Sequence, residues 1–337
     1  MTRLAPATLL FSLASGWAAA ANLSIPQVAD PGEDGYPPYS VTFANGVVGI
    51  PAITYAQPLH FSALTLDLYT PGGNTHGARA PLIVYVHGGA WVNGTPRGRT
   101  AVGGSWPAVL AALASRGYVV ASVSYRLDGE AHFPAAIQDV KAAIRFLRSH
   151  AERYGIDPKR AAIWGASAGG QLAALASVSC GVAAFEPPAP AQPGKSQPPP
   201  SDVSDCVQGG VSWFGVHDFV TVPVPPGQSG PAPYLGCPTP RCPLETLRFA
   251  SPVTYIDPSD PPMLLIHGLA DTLVAVSQTT EFAERLRAAH VPVETLIIPE
   301  VNHGFIGKTD AITRSATEQA LLRTFAFFDK LFGKSTG

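Results

Sequence analysis

The sequence predicts an α/β fold with a mostly parallel central sheet, helices on both faces and Pro-rich insertions. Short apolar runs rich in β-branched residues recur along the chain, and helix-like stretches or long insertions separate them. Runs of this kind are typical of strands that are buried on both faces, as in parallel sheets. The alternation with helices indicates parallel pairing, because parallel strands need a crossover connection.

Six apolar runs are predicted to form the parallel strands. The first, residues 81–86 (PLIVYV), ends at a histidine and two glycines. Residues 41–69 contain strand-like stretches punctuated by Gly and Pro but no helical pattern, which predicts antiparallel strands at one edge of the sheet. The other predicted parallel strands are residues 118–124, 161–164, 209–214, 263–266 and 295–298.

Apolar residues at helical spacing predict helices that pack on this sheet. One such stripe lies between the second and third parallel strands, and another lies near the C-terminus. No repeat of 20 to 50 residues is present in the sequence, which excludes solenoids and propellers. The two stripes are Ile137, Val140, Ile144 and Leu147, and Leu321, Phe325, Phe328 and Phe332.

The charge balance excludes several classes of partner. The chain has 22 Lys and Arg against 24 Asp and Glu, and only 14% of its residues are charged. Binding to nucleic acid or to an anionic membrane usually requires a basic surface, so neither partner is expected. A soluble domain typically has about 25% charged residues, so this chain has few surface charges.

Much of the proline lies in two segments. The chain has 34 Pro and 33 Gly, and many of the prolines fall within residues 186–205 and 223–243. Both segments lie between elements of the predicted core. This placement predicts a single domain, residues 22–337, with two Pro-rich insertions.

The N-terminus is predicted to be a cleaved signal peptide, residues 1–21. Arg3 precedes an apolar run at residues 9–14, and Ala19 and Ala21 provide an A-x-A cleavage site. A membrane anchor is the alternative, but the apolar run is interrupted and too short to cross a hydrocarbon core of about 30 Å. We therefore expect a secreted or periplasmic protein with no stable membrane insertion.

The four cysteines of an exported chain are expected to form two disulfides. Three pairings exist, and the short loop from Cys237 to Cys242 favours a bridge within it, which leaves Cys180 to pair with Cys206. A zinc site is the alternative. It is disfavoured because the C-x₄-C pair has no second pair or histidines nearby, and no metal is expected.

A candidate nucleophile lies in the sequence GASAGG, residues 165–170. It follows the predicted strand 161–164 and precedes a helix-like stretch, which is the context that a G-x-S-x-G nucleophile elbow requires. The pentapeptide alone is also compatible with a surface turn. In this context Ser167 is predicted to be a nucleophile at the N-terminus of a helix.

A serine nucleophile needs a base, and the base needs an orienting carboxylate. Asp271 follows the predicted strand 263–266, and His303 follows the strand 295–298. Loops at the carboxyl ends of parallel strands build sites in open α/β sheets. The order Ser167, Asp271, His303 is that of one known class of catalytic triads.

The loop HGGAW, residues 87–91, is a candidate oxyanion hole. It leaves the strand 81–86 and offers backbone N–H groups to a developing negative charge. An ordinary Gly-rich strand exit is the alternative for the loop alone. We predict that Gly89 and Ala90 donate together with Ala168, and that Gly88 shapes the turn.

Residues 64–332 resemble the α/β-hydrolase esterases with an HGG oxyanion loop. These include the hormone-sensitive-lipase-like group and, more closely, the bifunctional feruloyl and acetyl-xylan esterase-like group. Ala166 stands where the lipase-like group usually has Asp, which favours the feruloyl-esterase-like branch. The resemblance rests on HGGAW (87–91), WGASAGG (164–170), LGCP (235–238), ASPVT (250–254) and HGF (303–305).

This resemblance implies a serine carboxylesterase that works without a cofactor. Ser167, Asp271 and His303 match the nucleophile, acid and base of the family. The implied substrates are small-molecule or polysaccharide-linked esters, such as acetyl or hydroxycinnamoyl esters of plant polysaccharides. In this fold, the insertion at residues 223–243 is expected to lie near the substrate entrance and to influence specificity.

Aromatic residues flanking the motifs are predicted to form an apolar substrate pocket. Core packing is the alternative for each of them, and we favour the pocket wall most for Trp91. Asp139, His217 and His267 are expected to be structural. The predicted pocket residues are Trp91, Trp213, Phe214 and Phe305.

Three other functions remain open from the sequence. A serine exopeptidase and an arylformamidase share similar motifs on the same fold. A non-catalytic binding protein with a hydrolase fold is the alternative from a different class. The intact triad argues against this last function, because catalytic decay usually removes a triad residue.

Overall fold

One nine-stranded sheet runs through the part of the chain that this computed structural model describes. The predicted signal peptide and most of the first Pro-rich insertion lie outside the described residues. The predicted sheet with helices on both faces is confirmed. The described residues are 39–58, 61–72, 79–100, 104–187, 202–224, 230–238 and 242–334.

The strand order is β1-β2-β3-β5-β4-β6-β7-β8-β9. Pairing is antiparallel from β1 to β5 and parallel from β5 to β9 in this order, so the antiparallel strands lie at one edge as predicted. The strands are β1 (Val41–Thr42), β2 (Val48–Ala56), β3 (Leu64–Thr70), β4 (Ala80–Val86), β5 (Val119–Val123), β6 (Ile156–Ala166), β7 (Gly210–Trp213), β8 (Met263–Gly268) and β9 (Val293–Ile298).

Helices cover both faces of this sheet. The side chains of α1 and α6 share a buried cluster with one face, and those of α2, α3 and α5 pack on the other. The α-helices are α1 (Trp106–Ala114), α2 (Ala135–Ser149), α3 (Ala168–Val178), α4 (Leu244–Ala250), α5 (Ser277–Ala288) and α6 (Asp310–Leu331).

Strand β8 shows why these runs are apolar without alternation. Leu264 and Ile266 lie in the cluster of α1 and α6, whereas Met263 and Leu265 lie in the cluster of α3 and α5. All four side chains are fully buried. Burying one large apolar side chain stabilises a fold by about 1.5–3 kcal/mol. A strand buried on both faces gains this stabilisation from successive residues, whereas a strand buried on one face gains it only from every second residue.

Strand β6 is longer than the sequence predicts, because it begins at Ile156 rather than at residue 161. Ile156 pairs with Ala80 at the start of β4. The polar residues after Ile156 hide this part of the strand from a hydrophobicity pattern, and Arg160 forms an ion pair with Asp157 at 2.6 Å.

Helix α2 anchors the segment that follows the first Pro-rich insertion. The fully buried Lys141 ammonium lies 2.9 Å from an Asp205 carboxylate oxygen. Arg148 donates to the carbonyl of Cys206 at 2.7 Å. This end of the insertion is therefore fixed to the core by buried polar contacts.

The structure joins Cys180 to Cys206 and Cys237 to Cys242.

Candidate active site

Ser167 lies in a sharp turn between β6 and α3. Its φ of 55° and ψ of −119° place a non-glycine residue in a strained conformation. Its N–H donates to the Trp213 carbonyl at 2.8 Å, which ties the turn to β7. A Cβ at Gly165 would lie 2.0 Å from the Gly169 carbonyl oxygen, so glycine is required where the turn closes. The turn therefore presents the hydroxyl at the carboxyl end of the sheet.

The three residues of the predicted triad lie in one hydrogen-bonded line. His303 Nε2 is 2.9 Å from Ser167 Oγ, and His303 Nδ1 is 2.8 Å from Asp271 Oδ2. The Asp271 side chain is fully buried, while that of His303 is 20% exposed. This order of groups lets the imidazole take a proton from the hydroxyl while the carboxylate orients it.

The Asp271 carboxylate is held in its ionised form. Burial alone would raise its pKa, but hydrogen bonds from His267 and His303, the charge of His303 and the Val274 N–H together hold the pKa well below the usual range. Its Oδ1 accepts the N–H groups of Leu273 and Val274, each at 2.9 Å. The carboxylate therefore remains negative at the pH values at which esters are commonly assayed.

Asn302 joins the loops that hold the acid and the base, and the sequence analysis missed it. Its Oδ1 accepts the N–H of Thr272 at 2.9 Å and the N–H of His303 at 2.7 Å. Its amide nitrogen donates to Thr272 Oγ1 at 3.2 Å. The only sequence signal was an Asn directly before the histidine.

His267 contacts the same Asp271 oxygen, Oδ2, that His303 contacts. His267 Nε2 lies 2.9 Å from the Val274 carbonyl oxygen and 3.2 Å from Asp271 Oδ2. Both neighbours are acceptors, so Nε2 carries the proton, and Nδ1 accepts from the Thr279 hydroxyl at 2.8 Å. The structural role expected for this histidine therefore includes binding the Asp271 carboxylate.

Replacing His267 by leucine is expected to lower the free energy of unfolding by about 2–3 kcal/mol, because the buried carboxylate and the Val274 carbonyl lose a donor. Urea denaturation at pH 7 measures this difference. The matched control is His132→Leu at an exposed histidine. Equal stability of His267→Leu and the unchanged protein would show that this contact contributes nothing.

The loop after β4 has an unusual backbone. Gly89, Ala90 and Trp91 have φ values of 125°, 53° and 61°. A Cβ at Gly89 would lie 1.9 Å from the Asn93 carbonyl oxygen, so only glycine fits there. Ala90 and Trp91 adopt the left-handed region despite their side chains, which costs each about 1–2 kcal/mol.

This loop lies against Ser167 and has backbone N–H groups available as donors. A Cβ at Gly88 would lie 3.2 Å from Ser167 Cβ, so the two backbones are adjacent. In the described part of the chain, no backbone hydrogen bond outside helices and strands starts from the N–H of Gly88, Gly89 or Ala90. Ala168 is the first residue of α3, where an N–H has no partner within the helix. These groups can donate to an oxyanion.

The predicted pocket aromatics separate into two sets. The Phe214 ring lies 4.8 Å from the His303 ring and borders the triad. Trp213 and Phe305 are core side chains instead, exposed by 2% and 1%. Trp213 donates its indole N–H to Thr324 of α6 at 3.0 Å, and Phe305 packs behind Phe214. The structure therefore places these two residues in the core that supports the site, not in its wall.

Trp91 is the last residue of the candidate oxyanion loop, residues 87–91, and its side chain is held by two contacts. Its ring stacks on Tyr234 with a centroid separation of 4.4 Å, and its indole N–H donates to Gln171 at 3.1 Å.

Among the described residues, no cluster of three His, Cys, Asp or Glu side chains suited to a metal ion occurs. No helix in those residues is both long enough and apolar enough to span a membrane.

The BD-FAE family model matches residues 66–286, which is more than half of the chain. The chain belongs to the BD-FAE family. The match includes Ser167, Asp271 and the oxyanion loop. The resemblance predicted from the sequence is therefore confirmed, and the sheet described above is an α/β-hydrolase fold.

Two mycobacterial proteins are similar to this BD-FAE chain. The probable carboxylic ester hydrolase LipM of Mycobacterium tuberculosis is 32% identical over 254 residues, covering 73% of this chain and 55% of LipM. Esterase LipC of the same organism is 35% identical over 232 residues, covering 67% of this chain and 53% of LipC. The chain thus spans about half the length of these curated relatives.

A solved structure with the same fold is a truncated carbohydrate esterase from gut microbiota. It is 28% identical to this BD-FAE chain, with a TM-score of 0.68. The match covers 85% of this chain and 96% of the esterase. The similarity therefore extends over almost the whole of that solved domain.

Proposed function

We propose that this BD-FAE protein is a serine carboxylesterase. One observation carries the proposal: Ser167 Oγ, His303 and Asp271 form a continuous hydrogen-bonded line beside backbone N–H groups that donate to no backbone carbonyl in the loops of the described residues. Acyl transfer requires a nucleophile, a base, an orienting acid and an oxyanion hole, and this arrangement supports all four roles. The relatives named as esterases support the same activity.

The reaction proceeds in two halves. Ser167 Oγ attacks the ester carbonyl while His303 Nε2 takes its proton, and the N–H groups of Ala168 and the Gly89 region stabilise the oxyanion. The C–O bond to the alcohol then breaks, and His303 returns the proton to the leaving oxygen. A water molecule next attacks the acyl-enzyme, again with His303 as base, and releases the acid and the free serine.

Neutral esters are the proposed substrates. Exposed apolar side chains lie on the loops after β4, β7, β8 and β9, at the same edge of the sheet as Ser167, Asp271 and His303. Few charges are available in a chain with 14% charged residues to bind a strongly ionic substrate. These exposed side chains are Val92, Val220, Leu269, Leu273 and Ile306.

Within this class we propose acetyl or hydroxycinnamoyl esters of plant polysaccharides. The similarity to a carbohydrate esterase supports an acyl group attached to a sugar. We also propose a secreted or periplasmic location and a single mature domain of residues 22–337. Two disulfides in the structure support an oxidising compartment.

A substrate panel tests this function. The purified protein is assayed on p-nitrophenyl acetate, methyl ferulate, acetylated xylan, a peptide p-nitroanilide and N-formylkynurenine. We expect ester hydrolysis, and we expect a fluorophosphonate to abolish it with one adduct on the peptide that contains Ser167. Cleavage of the anilide or of formylkynurenine without ester hydrolysis would instead indicate a peptidase or an arylformamidase. Inactivity on the whole panel without labelling would favour a non-catalytic protein.

A further inference from the structure

The second Pro-rich segment reaches the oxyanion loop through one aromatic ring. Tyr234 lies in this segment, and its ring stacks on Trp91 at 4.4 Å with an interplanar angle of 8°. Phe219 packs on Trp91 from another direction at 5.6 Å. Trp91 is 7% exposed and Tyr234 is 2% exposed, so the stack is almost dry. Aromatic pairs of this kind contribute beyond the area they bury.

The loop that this stack contacts needs external support. Ala90 and Trp91 have positive φ values, which are uncommon for residues other than glycine. Local hydrogen bonds close the loop, since Val92 and Asn93 both donate to the Gly89 carbonyl. A strained backbone persists only where the surrounding structure over-determines it. Trp91 has the largest side chain in this loop, so contacts to its ring can fix the backbone conformation of the loop.

Gln171 connects the same ring to the nucleophile helix. It lies one turn after Ser167 on α3, and its N–H donates to the Ser167 carbonyl at 3.0 Å. Its fully buried side chain accepts the Trp91 indole N–H at 3.1 Å and donates to the Ala250 carbonyl at 3.1 Å. The Tyr234 hydroxyl approaches the same amide oxygen at 3.5 Å. The Trp91 ring is therefore fixed at its edge by Gln171 and at its face by Tyr234.

Tyr234 is itself firmly placed. Its carbonyl accepts the N–H of Phe133 at 2.8 Å, and the Phe133 ring packs edge-on to it at 5.7 Å. Cys237, three residues later, is bonded to Cys242, and its N–H donates to the Ala232 carbonyl. The described part of the segment thus presents Tyr234 as a rigid platform.

We propose that Tyr234 is a positioning residue for the oxyanion hole. By holding the Trp91 ring, it keeps the Gly89 and Ala90 N–H groups directed at the developing oxyanion. This inference rests on the proposed esterase function and deepens it. Tyr234 would then influence the rate of acyl transfer, in addition to any influence of its segment on which substrate enters.

The test is Tyr234→Leu, which removes the stack but leaves an apolar side chain in place. We expect kcat on p-nitrophenyl acetate to fall by about 10- to 100-fold, with KM changed by less than about threefold, because the misplaced donors act mainly in the transition state. Tyr234→Phe keeps the ring and loses only a contact of 3.5 Å, so it should retain kcat within about threefold.

The matched control is Phe249→Leu. Phe249 also packs on Phe133, at 5.1 Å, but it has no ring contact with Trp91 among the described aromatic pairs. It should keep kcat although it also loses a packed ring. Rates are expressed per site labelled by the fluorophosphonate, so that unfolded protein is not counted. An unchanged kcat in Tyr234→Leu, or an equal fall in Phe249→Leu, would overturn the proposal.

A second readout does not depend on activity. Hydrogen–deuterium exchange of the peptide containing residues 87–95 should be faster in Tyr234→Leu than in the unchanged protein, and unaltered in Phe249→Leu. If exchange is faster in Tyr234→Leu but the unchanged protein has no esterase activity, Tyr234 still positions the loop and the proposed function is rejected. If exchange is equal in all three proteins and the unchanged protein hydrolyses the ester, the positioning role of Tyr234 is rejected and the proposed function stands.

Discussion

Ser167→Ala is expected to lower kcat for p-nitrophenyl acetate by about 10⁴- to 10⁶-fold. The variant loses the atom that attacks the carbonyl, while the oxyanion donors and the base stay in place. Residual turnover would come from direct attack of water on the carbonyl, while these donors still stabilise the oxyanion. Steady-state kinetics with concentrated enzyme measure the loss, and the fluorophosphonate should no longer label the variant.

The matched control for this variant is Ser115→Ala at an exposed serine at the end of α1. It should keep both the rate and the label. Thermal unfolding should show that Ser167→Ala is folded and at least nearly as stable as the unchanged protein, because alanine removes only one oxygen. If Ser167→Ala kept a tenth or more of the activity, the nucleophile would have to be another residue.

Asp271→Asn is expected to lower kcat by about 10⁴-fold. The asparagine side chain is the same size, but its amide stabilises the wrong imidazole tautomer and cannot balance the charge that develops on His303. KM should change little, because the fully buried Asp271 side chain is not accessible to a substrate. The control is Asp202→Asn at an exposed carboxylate. Activity within tenfold of the unchanged protein would exclude Asp271 as the catalytic acid.

The same variant should reveal the low pKa of Asp271 in its stability. The folded-state pKa is held below the value of about 3.9 for an unfolded aspartate, so the ionised carboxylate contributes stability that is fully present above about pH 5. That contribution declines as the pH falls toward the folded-state pKa. Urea denaturation should therefore show a difference in stability between wild type and Asp271→Asn that shrinks as the pH falls below about 4.

The predicted triad rests on local motifs and on one rule of sheet topology. The elbow around Ser167 is contiguous in the sequence, so its conformation follows from a few glycines. Asp271 and His303 are distant in the chain, but each follows a buried parallel strand, and the carboxyl ends of such strands share one edge. Their meeting point could therefore be predicted without any contact being known.

The supporting contacts could not be predicted in this way. Trp213 and Phe214 are adjacent in the sequence, yet one side chain faces α6 and the other borders His303. Proximity in sequence predicts the neighbourhood of the site, but the direction of each side chain depends on where its strand ends. Gln171, Tyr234 and Asn302 act through partners far along the chain, for which no periodic pattern exists.

The attachment of the first Pro-rich segment to α2 has a consequence for how this fold can be diversified. The segment lies between Cys180 and Cys206, whose Cα atoms are 4.9 Å apart, and Lys141 and Arg148 bind the chain where it returns to the core. Doubling the length of chain between two fixed ends adds only about 0.6 kcal/mol of closure entropy in the ideal case. We therefore expect that the chain between the two cysteines can be lengthened, or can accept a grafted module, while the sheet and its helices keep their packing. This pair of cysteines marks an insertion point for engineering the protein.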